Sequence, residues 1–389
     1  MLSGNILINL VSAQPIPSLI PALDPRFAVT EVILLVTEQM HPQAKRLTRV
    51  FKRHDLPCRT WEETAPPFDP QEMEELCFRV IESFPDGQSL LLNATGGTKM
   101  MALAAANLFS SLDRGNVIYV DTAQGLIHFL YPSREKAFQL EPVLSISDYL
   151  TAYGLHPKIP RKIWRRGDAL PVVPTSARLL AENADFLDTF IGVVNFAGTG
   201  VLDSGRASES WPRKIFLDRS FSRSETVTRV LSQLEHEDML SFDRNNLVTI
   251  VSEEAARYVS GGWLEEYVFA RACAAGADEV SWSQVVDWDD SGNAPIANEF
   301  DCLIMRNNRL YLLECKTSRF SAGASEVVYK LDSLKDKIAG IYGLGALVSA
   351  RPLPEYILSR AAARKHQVFS RGELKGLTSV LKEWLDGRP

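Results

Sequence analysis

A two-residue Asn-Asn break between two apolar runs limits this chain more than any other feature. Residues 298–316 read Asn-Glu-Phe-Asp-Cys-Leu-Ile-Met-Arg-Asn-Asn-Arg-Leu-Tyr-Leu-Leu-Glu-Cys-Lys. Asn tolerates positive φ, so Asn307-Asn308 suits a tight hairpin turn between runs 300–305 and 310–313. With 306 opposite 309, Asp301 falls opposite Glu314 and Glu299 opposite Lys316. Side chains alternate along a strand, so all four project from one face. Directly opposed residues sit about 4.5–5.5 Å apart at Cβ, where like charges are destabilising. Acids at the end of apolar strands therefore need a reason. A hard cation held by oxygen ligands is one; an ion pair or a solvated strand end is the plainer alternative.

Asp301 followed by Glu314-Cys315-Lys316 resembles the Asp…(Asp/Glu)-x-Lys signature of the restriction-endonuclease-like PD-(D/E)XK nucleases. Phe300 stands where the family name has Pro. The resemblance implies Mg²⁺ or Mn²⁺ on the carboxylates, polarising a phosphate and acidifying a bound water. It implies that Lys316 stabilises transition-state charge or orients that water. It also implies a metal-binding acid on the preceding helix. Glu265 and Glu266 are the candidates, and Glu265, beside Leu264, is taken. The catalytic set is then Asp301, Glu314, Lys316, Glu265 and Glu299, with Asp301, Glu314 and Glu265 on the metal. Lys330 reaches a phosphate or lies solvated. The surrounding pattern follows the family's αβββαβ order: helix 262–275, strand 280–288, the hairpin, helix 325–338, strand 344–349.

The other distinctive stretch is 90–109, where an apolar strand runs into Asn93-Ala94-Thr95-Gly96-Gly97-Thr98-Lys99 and then a helical segment. Glycines let the backbone approach a ligand closely. The free N–H groups and dipole of the new helix favour an anion. Thr98 suits the cap and Lys99 adds positive charge. The triphosphate loop G-x-x-x-x-G-K-[ST] does not fit. The residues alone support a phosphate-binding turn or a plain strand-to-helix glycine turn.

Strands at 5–11 and 31–37 alternate with helical patterns at 40–54 and 69–84, as in a doubly wound sheet whose ligands bind outside the carboxyl ends of its strands. The first 145 residues resemble the CARF domain, the CRISPR-associated Rossmann-like sensor of cyclic oligoadenylates. The resemblance implies a pocket built by Asn93, Thr95, Gly96, Gly97, Thr98 and Lys99. Ser12, Ala13 and Gln14 join it after the first strand, Thr37 at the second, and Asp121 as a third wall. It implies a homodimer sharing one cyclic oligoadenylate, with cyclic tetra-adenylate the expected form. A CARF domain followed by such a nuclease is the layout of the ancillary nucleases of type III CRISPR systems, which leaves DNA, RNA or both as substrate.

The expected organisation is α/β: a Rossmann-like CARF domain over 1–150, a linker over 151–175, a winged-helix-like connector over 176–258 and a restriction-endonuclease-like domain over 259–389. Net charge is −6, so a nucleic-acid-binding chain must concentrate its positive charge locally. Segment 156–166, His-Pro-Lys-Ile-Pro-Arg-Lys-Ile-Trp-Arg-Arg, does so. As a Pro-rich linker it offers Trp164 for base stacking, or is simply solvated. The connector reads as helix 176–196, a helix capped by Ser224, and a small hairpin around Asn245-Asn246. Its acidic helix favours a structural role. Five scattered cysteines argue for a reducing cytoplasm. No apolar stretch is long enough for a membrane span, and the N-terminus lacks a basic leader region. Two other function classes stay open: a ligand-gated CARF/winged-helix transcription regulator, and a constitutive repair nuclease.

Overall fold

A computed structural model of the chain describes residues 4–133, 136–202, 213–288, 297–319, 325–338 and 343–387. Strands β1 (Asn5–Leu10), β2 (Val29–Leu35), β3 (Cys58–Thr60), β4 (Leu90–Asn93), β5 (Asn116–Asp121), β6 (Leu126–Tyr131) and β7 (Phe138–Gln139) form the first sheet. Its order is β3-β2-β1-β4-β5-β6-β7. The first five are parallel and the last two antiparallel. The central strands are apolar on both faces because helices cover both. Leu7, Val32 and Leu34 pack with helices Ile16–Leu23 and His41–Arg53. Ile8, Ile33 and Leu92 face the other way, onto Pro70–Glu82 and Lys99–Ser111. Strand order reverses between β1 and β4, which opens a crevice at their carboxyl ends.

Two short strands follow, β8 (Leu155–Pro157) and β9 (Lys162–Arg165). Then β10 (Arg213–Phe216), β11 (Leu240–Phe242) and β12 (Leu247–Ile250) form a small antiparallel sheet in the order β10-β12-β11 beside helix Glu225–His236. The last sheet comprises β13 (Glu279–Trp288), β14 (Asn298–Arg306), β15 (Arg309–Lys316), β16 (Leu344–Ser349) and β17 (Gln367–Phe369). Its order is β17-β16-β15-β14-β13-β8. Helix Trp263–Ala274 precedes it and helix Ser325–Ile338 joins β15 to β16. That is the αβββαβ order, in a mixed α/β fold.

The stretch 151–175 is not a free linker. Both β8 and β9 pair with β13, so these residues extend the C-terminal sheet. Pro157 and Pro160 are tolerated because the segment lies at an edge, where missing N–H donors cost little. Trp164 is buried in the core and donates Nε1–H to Asp168 O at 3.3 Å, so it is not available to stack on a base. A large indole gains more from burial than from solvent.

The two ends of the chain share one core. Leu7, Phe51 and Tyr149 belong to the same apolar cluster as Val286, Leu303, Met305 and Leu312. The hairpin tip is also fastened to the first half. Asn307 and Asn308 have φ of 50° and 59°, as the two-residue turn requires. Asn308 Oδ1 accepts from Val143 N at 2.9 Å and Leu144 N at 3.0 Å, and Nδ2 donates to Glu141 O at 2.6 Å.

Candidate functional site

The β14–β15 register is the one the sequence dictates. Arg306 faces Arg309, and the ladder continues to Cys302 opposite Leu313. Beyond it, Cys315 N donates to Asp301 Oδ2 at 2.7 Å, so Asp301 bends under the end of β15. Glu314 is buried, and its Oε1 lies 2.7 Å from Lys316 Nζ and 3.4 Å from Lys330 Nζ. Burial, then the charges of Glu314 and Glu265, push the Asp301 carboxyl up to about 8. Burial and the Glu299 charge likewise raise Glu265. Burial opposes the Lys316 charge, but Glu314 and Asp301 outweigh it and hold its pKa above the usual value.

Glu265 enters this cluster from the first turn of helix Trp263–Ala274, with Oε2 accepting from Trp282 Nε1 at 3.2 Å. Thr317 fixes where that helix starts: its hydroxyl donates to Ser260 O at 2.8 Å, tying the residue after Lys316 to the turn before the helix. Glu266 lies instead among Lys162, Arg161 and Glu237. Glu299 is exposed and accepts from Ser283 Oγ. Two residues of this neighbourhood were missed in the sequence. Trp282 orients Glu265. Ser283 has φ 53° inside β13, where the ladder register puts it across from Asp301. A non-Gly residue there costs about 1–2 kcal/mol, and such strain tends to mark sites.

The first sheet presents its own cavity, of about 290 Å³, at the crevice between β1 and β4. Ser12 and Ala13 line it after β1, Thr37 after β2, and Gly97 and Thr98 after β4. Thr98 caps the helix, accepting from Met101 N at 3.2 Å, and donates to Pro67 O. Gly96 lies against β1, where a Cβ would fall 1.8 Å from Leu10 O. Gly97 has φ 71°. Glycine is therefore required twice, once for space and once for conformation.

The family model for the Card1 CARF domain matches residues 6–149, and that for the Card1-like endonuclease domain matches 252–387. The chain belongs to the CARF-fused nucleases. The CARF-fused fold recurs over the whole length of two solved structures. Protein VC1899 from Vibrio cholerae has 23% identity and a TM-score of 0.85, covering 99% of this chain and 98% of that one. Can2 from Sulfobacillus thermosulfidooxidans, solved with cyclic tetra-adenylate, has 23% identity, a TM-score of 0.77 and the same coverage of both chains. A type III CRISPR defence DNA nuclease activated by cyclic oligoadenylate has 18% identity and a TM-score of 0.54, covering 89% of this chain and 45% of that one. No curated protein sequence matches the chain.

Within the CARF domain, six expected pocket residues, Gln14, Asn93, Thr95, Gly96, Lys99 and Asp121, are not part of the cavity lining. Asn93 is buried opposite Asn9, donating to Asn9 Oδ1 and Pro17 O at 2.9 Å each. Thr95 Oγ1 donates to Asn93 Oδ1 at 2.6 Å and accepts from Val120 N at 2.7 Å. These two fasten the turn rather than face a ligand, because buried polar groups must find partners. Gln14 Oε1 accepts from Tyr153 OH at 3.0 Å. Asp121 Oδ1 accepts from Ala123 N and Gln124 N, building its own turn. Lys99 is exposed on the first helical turn. The cavity gains walls that the sequence did not flag: Gln39, Met40, Thr64, Pro67 and Phe68. No helix among the described residues is long and apolar enough to cross a membrane.

Proposed function

We propose that this chain is a metal-dependent nuclease of CRISPR defence, switched on by a cyclic oligoadenylate at its CARF cavity. The observation that carries the reading is Asp301 opposed to Glu314-x-Lys316 at a sheet end, in a chain that opens with a CARF domain. Among the described residues no three acidic, His or Cys side chains already stand at metal-binding spacing. The donor chemistry nonetheless fits a hard cation. Burial, reinforced by the charges of Glu314 and Glu265, drives Asp301 to about 8, and two ammonium groups now do for Glu314 what a cation would do. Asp301, Glu314 and Glu265 would hold Mg²⁺ or Mn²⁺, which when bound polarises the phosphate and acidifies a water. Lys316 keeps its proton and meets the developing phosphate charge as a cation. Lys330, beside the same carboxylate, offers a second positive charge to the strand. Trp282 and Cys315 N hold Glu265 and Asp301 in place.

At the CARF cavity the helix cap and the glycine backbone suit an anionic ring. Can2 was solved with cyclic tetra-adenylate, and the type III nuclease is described as activated by cyclic oligoadenylate. That ring is the activator we assign here. A twofold pair of CARF domains sharing one ring is supported by apolar Phe68, Met100 and Leu103, all exposed on the rim or first turns beside the cavity. The acidic helix Glu225–His236 and a core shared with the nuclease domain support reading the middle unit as a structural connector.

The test is cleavage of plasmid, single-stranded DNA and RNA with Mn²⁺, with and without cyclic tetra- and hexa-adenylate. Cleavage should need both cation and ring. Cleavage indifferent to the ring would point to a constitutive enzyme, and none at all to a ligand-gated regulator.

A further inference from the structure

A second cavity, of about 550 Å³, opens between helix Asp188–Leu202 and the segment that directly follows Lys316. Its floor is Arg351, which is 1% exposed and is among the largest fully buried side chains of the chain. Arg351 Nε lies 2.6 Å from Asp188 Oδ1. Arg319 Nη2 donates to Asp188 Oδ2 at 2.9 Å. Two guanidinium groups therefore share one carboxylate, and among the described residues no acidic side chain lines the cavity itself. Arg351 Nη1 is buried and finds no hydrogen-bond partner among the described residues. An unpaired buried donor is expensive, and its persistence asks for a missing acceptor.

The backbone has been shaped to keep that donor open. Gly192 lies over it, and a Cβ at 192 would come within 2.5 Å of Arg351 Nη1. Phe196, one helical turn further on, lines the same cavity and is 75% exposed as a residue. The place in the sheet fits a substrate path. Lys316 pairs with Ser349, and Ala350 N donates to Lys316 O at 3.0 Å, so Arg351 follows immediately beyond the catalytic strand end. Arg319 is three residues past Lys316, within the span of a few nucleotides.

We infer that this cavity is a substrate subsite that takes a nucleotide flanking the scissile bond of a single strand, its phosphate on Arg351 and Arg319 and its base against Phe196. Guanidinium forks match phosphate oxygens, and aromatic faces accept any base. An unpaired strand is favoured because a base held in a duplex stack is not free to lie on Phe196. The inference rests on the nuclease reading above, but binding without cleavage tests it separately.

The experiment measures anisotropy of labelled single-stranded DNA and RNA on full-length protein with cyclic tetra-adenylate and no divalent cation. Phe196→Ala should weaken both by about tenfold. Arg319→Gln should weaken them similarly and flatten the salt dependence by about 0.7 in the log–log slope, the share of one phosphate contact. Because Arg351→Gln alone removes one of the two cations on Asp188, it is paired with Asp188→Asn, and the pair should likewise weaken single-strand binding. Calorimetric affinity for cyclic tetra-adenylate should stay unchanged in every variant, which checks folding. Wild-type binding in Phe196→Ala and Arg319→Gln, or no single-strand binding by the parent, overturns the subsite. If the variants lose binding while the parent never cleaves under Mn²⁺, the subsite stands and the nuclease reading falls.

Discussion

The CARF cavity and the candidate nuclease site use opposite materials. The cavity sets glycine backbone, small side chains and a helix cap beside a few larger walls, Gln39, Met40 and Phe68. The candidate nuclease site gathers acids and a lysine whose protonation burial and mutual charge distort together, Asp301 most of all. A pocket of backbone groups recognises a large anion by shape and spreads the work over many weak contacts. A cluster of buried charges does chemistry and concentrates the work in few atoms. Single side-chain truncations should therefore act gradually at the first site, where only a change that displaces the backbone is severe, and all-or-none at the second.

The sharpest way to break that contrast is Asp301→Ala or Glu314→Ala. Either should lower ring-activated cleavage by about a thousandfold or more, the scale of losing a key transition-state contact, with ring affinity unchanged by calorimetry. Near-normal cleavage would remove these residues from the reaction. At the other site, Gly96→Ala forces a methyl onto Leu10 O, so it should displace the glycine turn and abolish measurable ring binding. Retained affinity would show that the turn does not shape the pocket. Lys99→Ala should be milder. A charged hydrogen bond is worth about 1.5–3 kcal/mol, so affinity should fall roughly ten- to a hundredfold, while cleavage at saturating ring survives. Unchanged affinity would leave binding to backbone alone.

The smallest effect concerns pH. Asp301 binds its proton more tightly folded than unfolded, so its contribution favours the fold at low pH and is lost as pH rises through about 8. Without divalent cation, the Tm should drop on going from pH ~5 to ~8.5. Asp301→Asn should flatten that drop. Parallel pH profiles for the two proteins would mean that Asp301 ionises without penalty.

What the sequence revealed follows the same divide. The hairpin register was legible because it needs only local facts: two positive-φ asparagines and apolar runs on either side. Glu265 was reachable as one of two adjacent acids, and only the fold separates it from Glu266. Asn93 and Thr95 look like ligand contacts in a glycine turn, yet their partners Asn9, Pro17 and Val120 lie far along the chain. Nothing local announces such pairing. The stretch 151–175 failed for a related reason. Prolines and basic residues imitate a linker, while the edge pairing with β13 that orders it is long-range. Phe68 and Thr64 sit in a loop with no periodicity to read.

Asn308 sits at one end of the β14–β15 hairpin, held in the sheet between β13 and β16, and Asp301 at the other, seven residues or about 23 Å away. The hairpin's near end is clasped by Val143, Leu144 and Glu141, at the close of the sensing half. A pleated ribbon bends poorly along its length, so a push at the clasp arrives at the acids as nearly the same displacement, without gain or loss. On that reading a signal would pass by mechanical transmission rather than loosening, which we propose here. Asn308→Gly keeps the turn but releases the clasp. It should leave ring binding and the intrinsic competence of the acids alone while slackening the drive between them.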